Sequence, residues 1–160
     1  MDALNAVLAA RKKLDTLTPL KTDCGRLCGG ACCQGDAQTG MLLFPGEDAL
    51  YADCGFAGML SADFTLGSEA AHLLICRGTC PRAERPLACR LFPLFLRFNA
   101  QGGTRVVLDP RARAVCPLTD YGLEALDGAF VAAVREAYAL LMESDRCAAY
   151  LRELDGAYRL

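Results

Sequence analysis

Four thiols fall within ten residues in the stretch CGRLCGGACC, at Cys24, Cys28, Cys32 and Cys33. A second group follows in CRGTCPRAERPLACRLFP, at Cys76, Cys80 and Cys89, and Cys116 stands immediately before Pro117. Eight of the ten cysteines therefore belong to a C-x3-C-x3-C-C run, a C-x3-C-P-x7-C run and a Cys-Pro pair. A metal site built from cysteine needs four thiolates about 2.3 Å from one centre, and ligands two to four residues apart meet that need because a short loop aims two sulfurs inward. The spacing points to chelation, with all eight thiols as candidate ligands. Disulfide pairing, a redox pair and simple apolar packing are the competing readings.

Glycine between the thiols fits the ligand reading. Gly25, Gly29 and Gly30 allow positive φ and bare backbone N–H groups that can donate to thiolate sulfur. The 24/28/32 spacing would also suit one helical face, but Gly29-Gly30 in its middle costs about 2 kcal/mol relative to alanine, so a loop is expected. In an extended segment the neighbours Cys32 and Cys33 point to opposite faces and would serve different centres. In a tight turn they would share one. Eight ligands allow two four-thiolate centres or one centre with spare thiols.

Charge around the second group points the same way. Residues 76–116 hold eight arginines, including Arg77, Arg85, Arg90 and Arg113, against Glu84 and Asp109 alone, a local +6 within a chain of net charge −2. Four thiolates around a divalent ion leave about two negative charges, which guanidinium groups compensate. Scattered solvated arginines are the plain alternative, and an anionic-ligand or RNA surface over 77–113 is a third, one that needs aromatic platforms supplied only by Phe92, Phe95 and Phe98.

The rest of the chain must hold these segments together. With 160 residues, 53% apolar and 22% charged, a single domain over 1–160 is expected, able to bury about two thirds of its unfolded surface without cross-links. The N-terminal segment has an acid at position 2 and its basic residues after the apolar stretch, the reverse of a secretory signal. A reducing, cytoplasmic setting is expected, where clustered cysteines bind metal more often than they form disulfides. Net charge is too near neutral for a general nucleic-acid footprint, and no apolar run spans a membrane, so the expected partner is a metal ion or cluster.

The periodicity predicts a helix over 3–17, loop over 21–40, a short strand at 41–44, and a helix from Pro45 to about Leu60. Strands are expected at 70–76 and 95–98, the latter forming a hairpin with 104–108, followed by a long amphipathic helix over 123–143 and a shorter one over 145–154. Pro86 is placed to open a helical turn carrying Cys89, which Pro93 ends. The predicted class is α+β: a helix-rich small domain with a short β-hairpin and cysteine-bearing loops stapled by metal. The metal-binding segment covers about 22–118, with C-terminal helices over about 123–157.

The two motifs together resemble the CxxCxxCC cysteine-cluster family, the YkgJ-like zinc- or iron-chelating domain. Its second motif reads as cysteine, a few residues, then R-P-x-x-C-R-x-F/Y-P, which Arg85, Pro86, Cys89, Arg90, Phe92 and Pro93 match position by position. Cys116-Pro117 is also in keeping, and the resemblance spans about residues 22–118. It implies metal chelation by cysteine, as zinc or iron, with some relatives linked to iron–sulfur chemistry; the x3 spacings here are wider than the family's. Zn2+ and a [4Fe-4S] cluster both suit cysteine-only ligation, and Cys80-Pro81 and Cys116-Pro117 echo the cysteine-proline ending of ferredoxin runs. A cluster would make the protein a redox or electron-transfer component. Structural zinc would make it an interaction module.

His72 in AAHLLI reads as a half-buried strand residue, and Cys54 and Cys147 as small apolar residues on helices. Asp63, Glu69 and Asp120 read as solvated or capping groups. No phosphate-binding glycine loop, hydrolase elbow or paired-histidine zinc motif occurs.

Overall fold

The computed structural model describes residues 1–34, 40–67 and 69–159. Its helices are α1 (Ala3–Lys13), a single turn α2 (Gly25–Cys28), α3 (Leu87–Leu91), α4 (Gly128–Met142) and α5 (Asp145–Ala157). Its strands are β1 (Met41–Leu42), β2 (Ala57–Leu66), β3 (Glu69–Cys76), β4 (Leu94–Phe98) and β5 (Thr104–Leu108). One antiparallel sheet has the order β1-β3-β2, and β4 and β5 form the expected hairpin in register Leu96 opposite Val106. The α+β class holds.

The helices form where apolar periodicity meets a cap. Asp2 accepts from the Asn5 amide at 3.3 Å to start α1, whose Val7, Ala10 and Leu14 enter the core. The long C-terminal helix starts at Gly128, five residues later than the periodicity predicts. The segment 123–125 is a separate 3-10 turn, and Asp127 caps α4 by accepting from the Ala129 amide at 2.9 Å. Phe130, Val134, Ala137 and Leu141 then pack with α1, with Leu151 and Leu154 of α5, and with Leu94 and Phe95 of β4. A smaller apolar cluster of Leu43, Tyr51, Ala57 and Leu74 lies under the other sheet.

The helix expected from Pro45 to Leu60 is not there. A 3-10 turn at Glu47–Leu50 is followed by β2, whose Ala62, Phe64 and Leu66 pack alternately against the main core. That period of two, with Gly55 and Gly58 weakening any helix, decides for a strand. The loop expected over 21–40 contains α2 and a 3-10 turn at Ala31–Cys33, while residues 35–39 of it lie outside the described set. Among the described residues no helix is long and apolar enough to cross a membrane.

Candidate metal-binding site

The first cysteine segment is shaped by one carboxylate and two glycines. Asp23 accepts from the Gly25 amide at 3.0 Å, opening α2, which puts Cys24 and Cys28 four residues apart on one helical turn. Gly29 and Gly30 then both adopt left-handed backbone, with φ of 62° and 73°, and reverse the chain into the Ala31–Cys33 turn. A Cβ at either glycine would meet nothing within 4 Å, so the requirement is conformational and not one of space. Gly25 is helical, unlike the left-handed Gly29 and Gly30.

In the 3-10 turn the Cys32 and Cys33 sulfurs lie 4.0 Å apart, and Cys32 is exposed. Gln34 continues into an isolated antiparallel bridge with Arg77, which joins this segment to the end of β3 beside Cys76. The strand end is fixed in turn by the Arg77 amide, which donates to the Phe56 carbonyl at 3.1 Å.

Cys80 and Cys89 sit in a segment braced from behind. Arg90 is buried and donates to the Arg82, Ala83 and Arg85 carbonyls at 2.8–3.1 Å and to Asp15 Oδ1 at 2.6 Å. Glu47, with no exposed surface, accepts from the Leu87 amide at 2.7 Å through Oε1 and from the Phe44 amide at 3.2 Å through Oε2. These bonds seat α3, which begins after Pro86 as expected and carries Cys89. Cys116 follows the turn at Pro110–Ala114, with its amide bonded to the Ala112 carbonyl at 2.8 Å.

The fold thus brings all eight predicted ligands into one region from three separate segments. Cys32, Cys33, Cys76, Cys80 and Cys89 line a cavity of about 260 Å³ whose apolar wall includes Met41, Phe56, Leu74 and Phe92. Cys24, Cys28 and Cys116 gather beside it, close enough for the charge of one thiolate to act on the next. All ten cysteines are free thiols. The sulfurs stand apart from a closed shell: among the described residues no three Cys, His, Asp or Glu side chains are gathered as a group that could hold a metal ion.

Electrostatics divide the thiols. A hydrogen bond from Cys32 and the charge of Arg85 hold Cys33 down at about 6 against the effect of burial, while donating that bond pushes Cys32 upward. Burial pushes Cys89 up, reinforced by Cys33, Glu47 and Cys80. It does the same to Cys76, with Cys33 and Cys80, and to Cys24, with Cys116 and Cys28. Burial acts against the charge of Arg85, but its contact with the Cys80 sulfur and the nearby Cys33 and Cys89 outweigh it.

The wider arginine window does other work. Arg77 donates to the Gly55 carbonyl, Arg82 to the Asp15 and Leu17 carbonyls, Arg97 to Asp155 and Arg111 to Asp109. Cys147 is buried in α5, as expected, and donates to the Ala3 carbonyl at 3.8 Å. Cys54 lies in the turn before β2 and not on a helix, with its sulfur 3.7 Å from the Ala57 carbonyl. His72 sits on β3 with Nδ1 3.7 Å from Asp48, and Glu69 pairs with Arg146 at 2.7 Å. Sequence reasoning missed Asp23, Glu47 and the bracing role of Arg90. Asp23 carries a local signal, an acid two residues before a glycine turn; Glu47 carries none, because its partner Leu87 is 40 residues away.

No protein-family model matches the chain, and neither a curated protein nor a solved structure matches it.

Proposed function

We propose that the protein chelates metal through its clustered cysteines, taking Zn2+ or a [4Fe-4S] cluster at Cys24, Cys28, Cys32, Cys33, Cys76, Cys80, Cys89 and Cys116. The observation that carries this reading is the convergence of three segments, 24–33, 76–89 and 116, whose thiols line one cavity or lie close enough for their charges to act on one another. The donor type suits soft metals, and the resemblance to the CxxCxxCC cysteine-cluster family points the same way. Metal bound across those segments would staple the irregular half of the fold to the helical half. Binding free energy would then appear as folding free energy.

A cluster would make the protein a redox or electron-transfer component, and zinc alone a structural interaction module. The anionic-ligand or RNA alternative is weaker. Five of its eight arginines, Arg77, Arg82, Arg90, Arg97 and Arg111, spend their guanidinium groups on carbonyls or carboxylates of the chain itself.

Anaerobic purification with metal analysis and a visible spectrum tests the proposal. Iron with sulfide and absorption near roughly 400 nm is the cluster result, since that band belongs to thiolate-ligated iron–sulfur centres. Stoichiometric zinc without the band is the structural result, and protein free of both metals contradicts the chelation reading. For the staple, Cys28→Ser and Cys89→Ser should each lower metal content and melting temperature. A ligand at about 1,000 times its Kd contributes about 4 kcal/mol, or a shift on the order of 10 °C for a domain of this size. An unchanged melting curve would sink the staple.

A further inference from the structure

Whether the site holds one centre or two turns on Cys32 and Cys33. Their 4.0 Å separation by itself fits a shared centre, because two sulfurs bound at 2.3 Å to one tetrahedral ion stand about 3.8 Å apart. Their other neighbours separate them. Cys32 has Cys28 and Cys24 beside it, and these two share Cys116 as their next sulfur. Cys33 instead lies within range of Cys76 and Cys89, both of which also have Cys80 near them, and these four line one cavity.

The backbone divides along the same line. Helix α2 and the turn after Pro110 carry Cys24, Cys28 and Cys116, which stay off the cavity wall. The Gln34–Arg77 bridge sets the Cys33 end of the doublet against β3, so that Cys33 joins Cys76, Cys80 and Cys89 on that wall. Of the first set, Cys32 alone reaches it.

We propose that the eight thiols form two four-sulfur sites, Cys24/Cys28/Cys32/Cys116 and Cys33/Cys76/Cys80/Cys89, with the doublet split between them. This rests on the chelation reading and deepens it. Metal–sulfur bonds of about 2.3 Å on either side of the 4.0 Å gap put the two centres no more than about 9 Å apart. Four protein sulfurs complete each shell, which is the closed coordination of a structural ion or a cluster and not that of a catalytic ion with a position open to water.

Anaerobic Co(II) titration of the reduced, metal-free full chain, followed by thiolate-to-cobalt absorption, tests the division. Wild type should saturate at two equivalents, and Cys116→Ser and Cys76→Ser should each lose one of the two. The pair Cys32→Ser with Cys116→Ser should still keep one equivalent, whereas Cys33→Ser with Cys116→Ser should keep none. Should the variants fold poorly, alkylation of wild type at one equivalent of Zn2+ gives a second measurement: protected cysteines should group by set. Saturation at one equivalent, loss of both by the Cys32/Cys116 pair, or protection that crosses the sets would overturn the division and leave chelation standing. No binding of either ion would overturn both.

Discussion

Glu47 shows how a residue distant in sequence from a thiol governs it, since its bond to the Leu87 amide seats the helix that carries Cys89. Its carboxylate is fully buried, spans the backbone amides of Phe44 and Leu87, and lies 3.8 Å from Arg11. Burial pushes its carboxyl upward despite those donors, so the site tolerates the acid only because each oxygen is hydrogen-bonded. Glu47→Ala should cost about 3 kcal/mol in chemical denaturation, since it leaves two buried amides without their acceptor and Arg11 without its nearby countercharge. A cost within 0.5 kcal/mol of zero, the usual size of a surface change, would mean the carboxylate does not seat α3. Arg90 makes the same point from the other side. Its place in the R-P-x-x-C-R motif is legible in the sequence, but its role is not, because apart from Asp15, far off in sequence, its acceptors are main-chain carbonyls that any residue provides.

At the scale of elements, what the sequence shows well is what depends on local periodicity. The β4–β5 hairpin, α5 and the turn carrying Cys89 appear where alternation, caps and proline predict them, and α1 begins where expected but ends at Lys13, short of the predicted 17. β2 is misread because Met59 and Leu60 look like a continuing helical stripe, while the alternation that matters begins only at Ala62 and is settled by pairing with β3. The α2 turn is hidden for the opposite reason: a four-residue turn that begins on one glycine and ends at another has no period to detect, and the bond from the Gly25 amide to Asp23 supplies what propensity does not. Gly30 is the element-scale test. At φ of 73° with open space where a Cβ would go, Gly30→Ala should cost about 1 kcal/mol of stability through backbone strain alone. It should also turn the doublet and weaken metal affinity, whereas Ala31→Gly should not. Equal affinity for the Gly30→Ala protein would show that the left-handed turn does not position the thiols.

The whole molecule is held at its far end by Asp155. Buried on α5, it accepts from Arg97 at 2.8 Å and from the Phe98 amide at 3.2 Å, tying the C-terminal helix to β4, and Arg159 joins from one turn on. Burial opposes its charge, but the Arg159, Phe98 and Arg97 donors outweigh it and hold the carboxyl below its ordinary value. A carboxyl lowered by folding contributes stability above its unfolded pKa of about 3.9, and that contribution is lost as pH falls through the folded value. Stability should therefore drop on acidification below about pH 4, and Asp155→Asn should be less stable at neutral pH with a shallower acid limb. An unchanged acid limb in that variant would assign the acid loss elsewhere.

Helices and hairpin pack one half of the chain, and the cysteine segments, irregular and short, make up much of the other. The eight thiols were legible as a set from spacing alone. How they divide was not, because that depends on which strand end Gln34 meets. The most direct measurement is elemental analysis of the anaerobically purified protein together with mass-mapped alkylation before and after a chelator. Chelation predicts bound metal and eight shielded cysteines, Cys24, Cys28, Cys32, Cys33, Cys76, Cys80, Cys89 and Cys116, that become reactive once the metal is stripped. Metal-free protein whose thiols react identically before and after the chelator would contradict it.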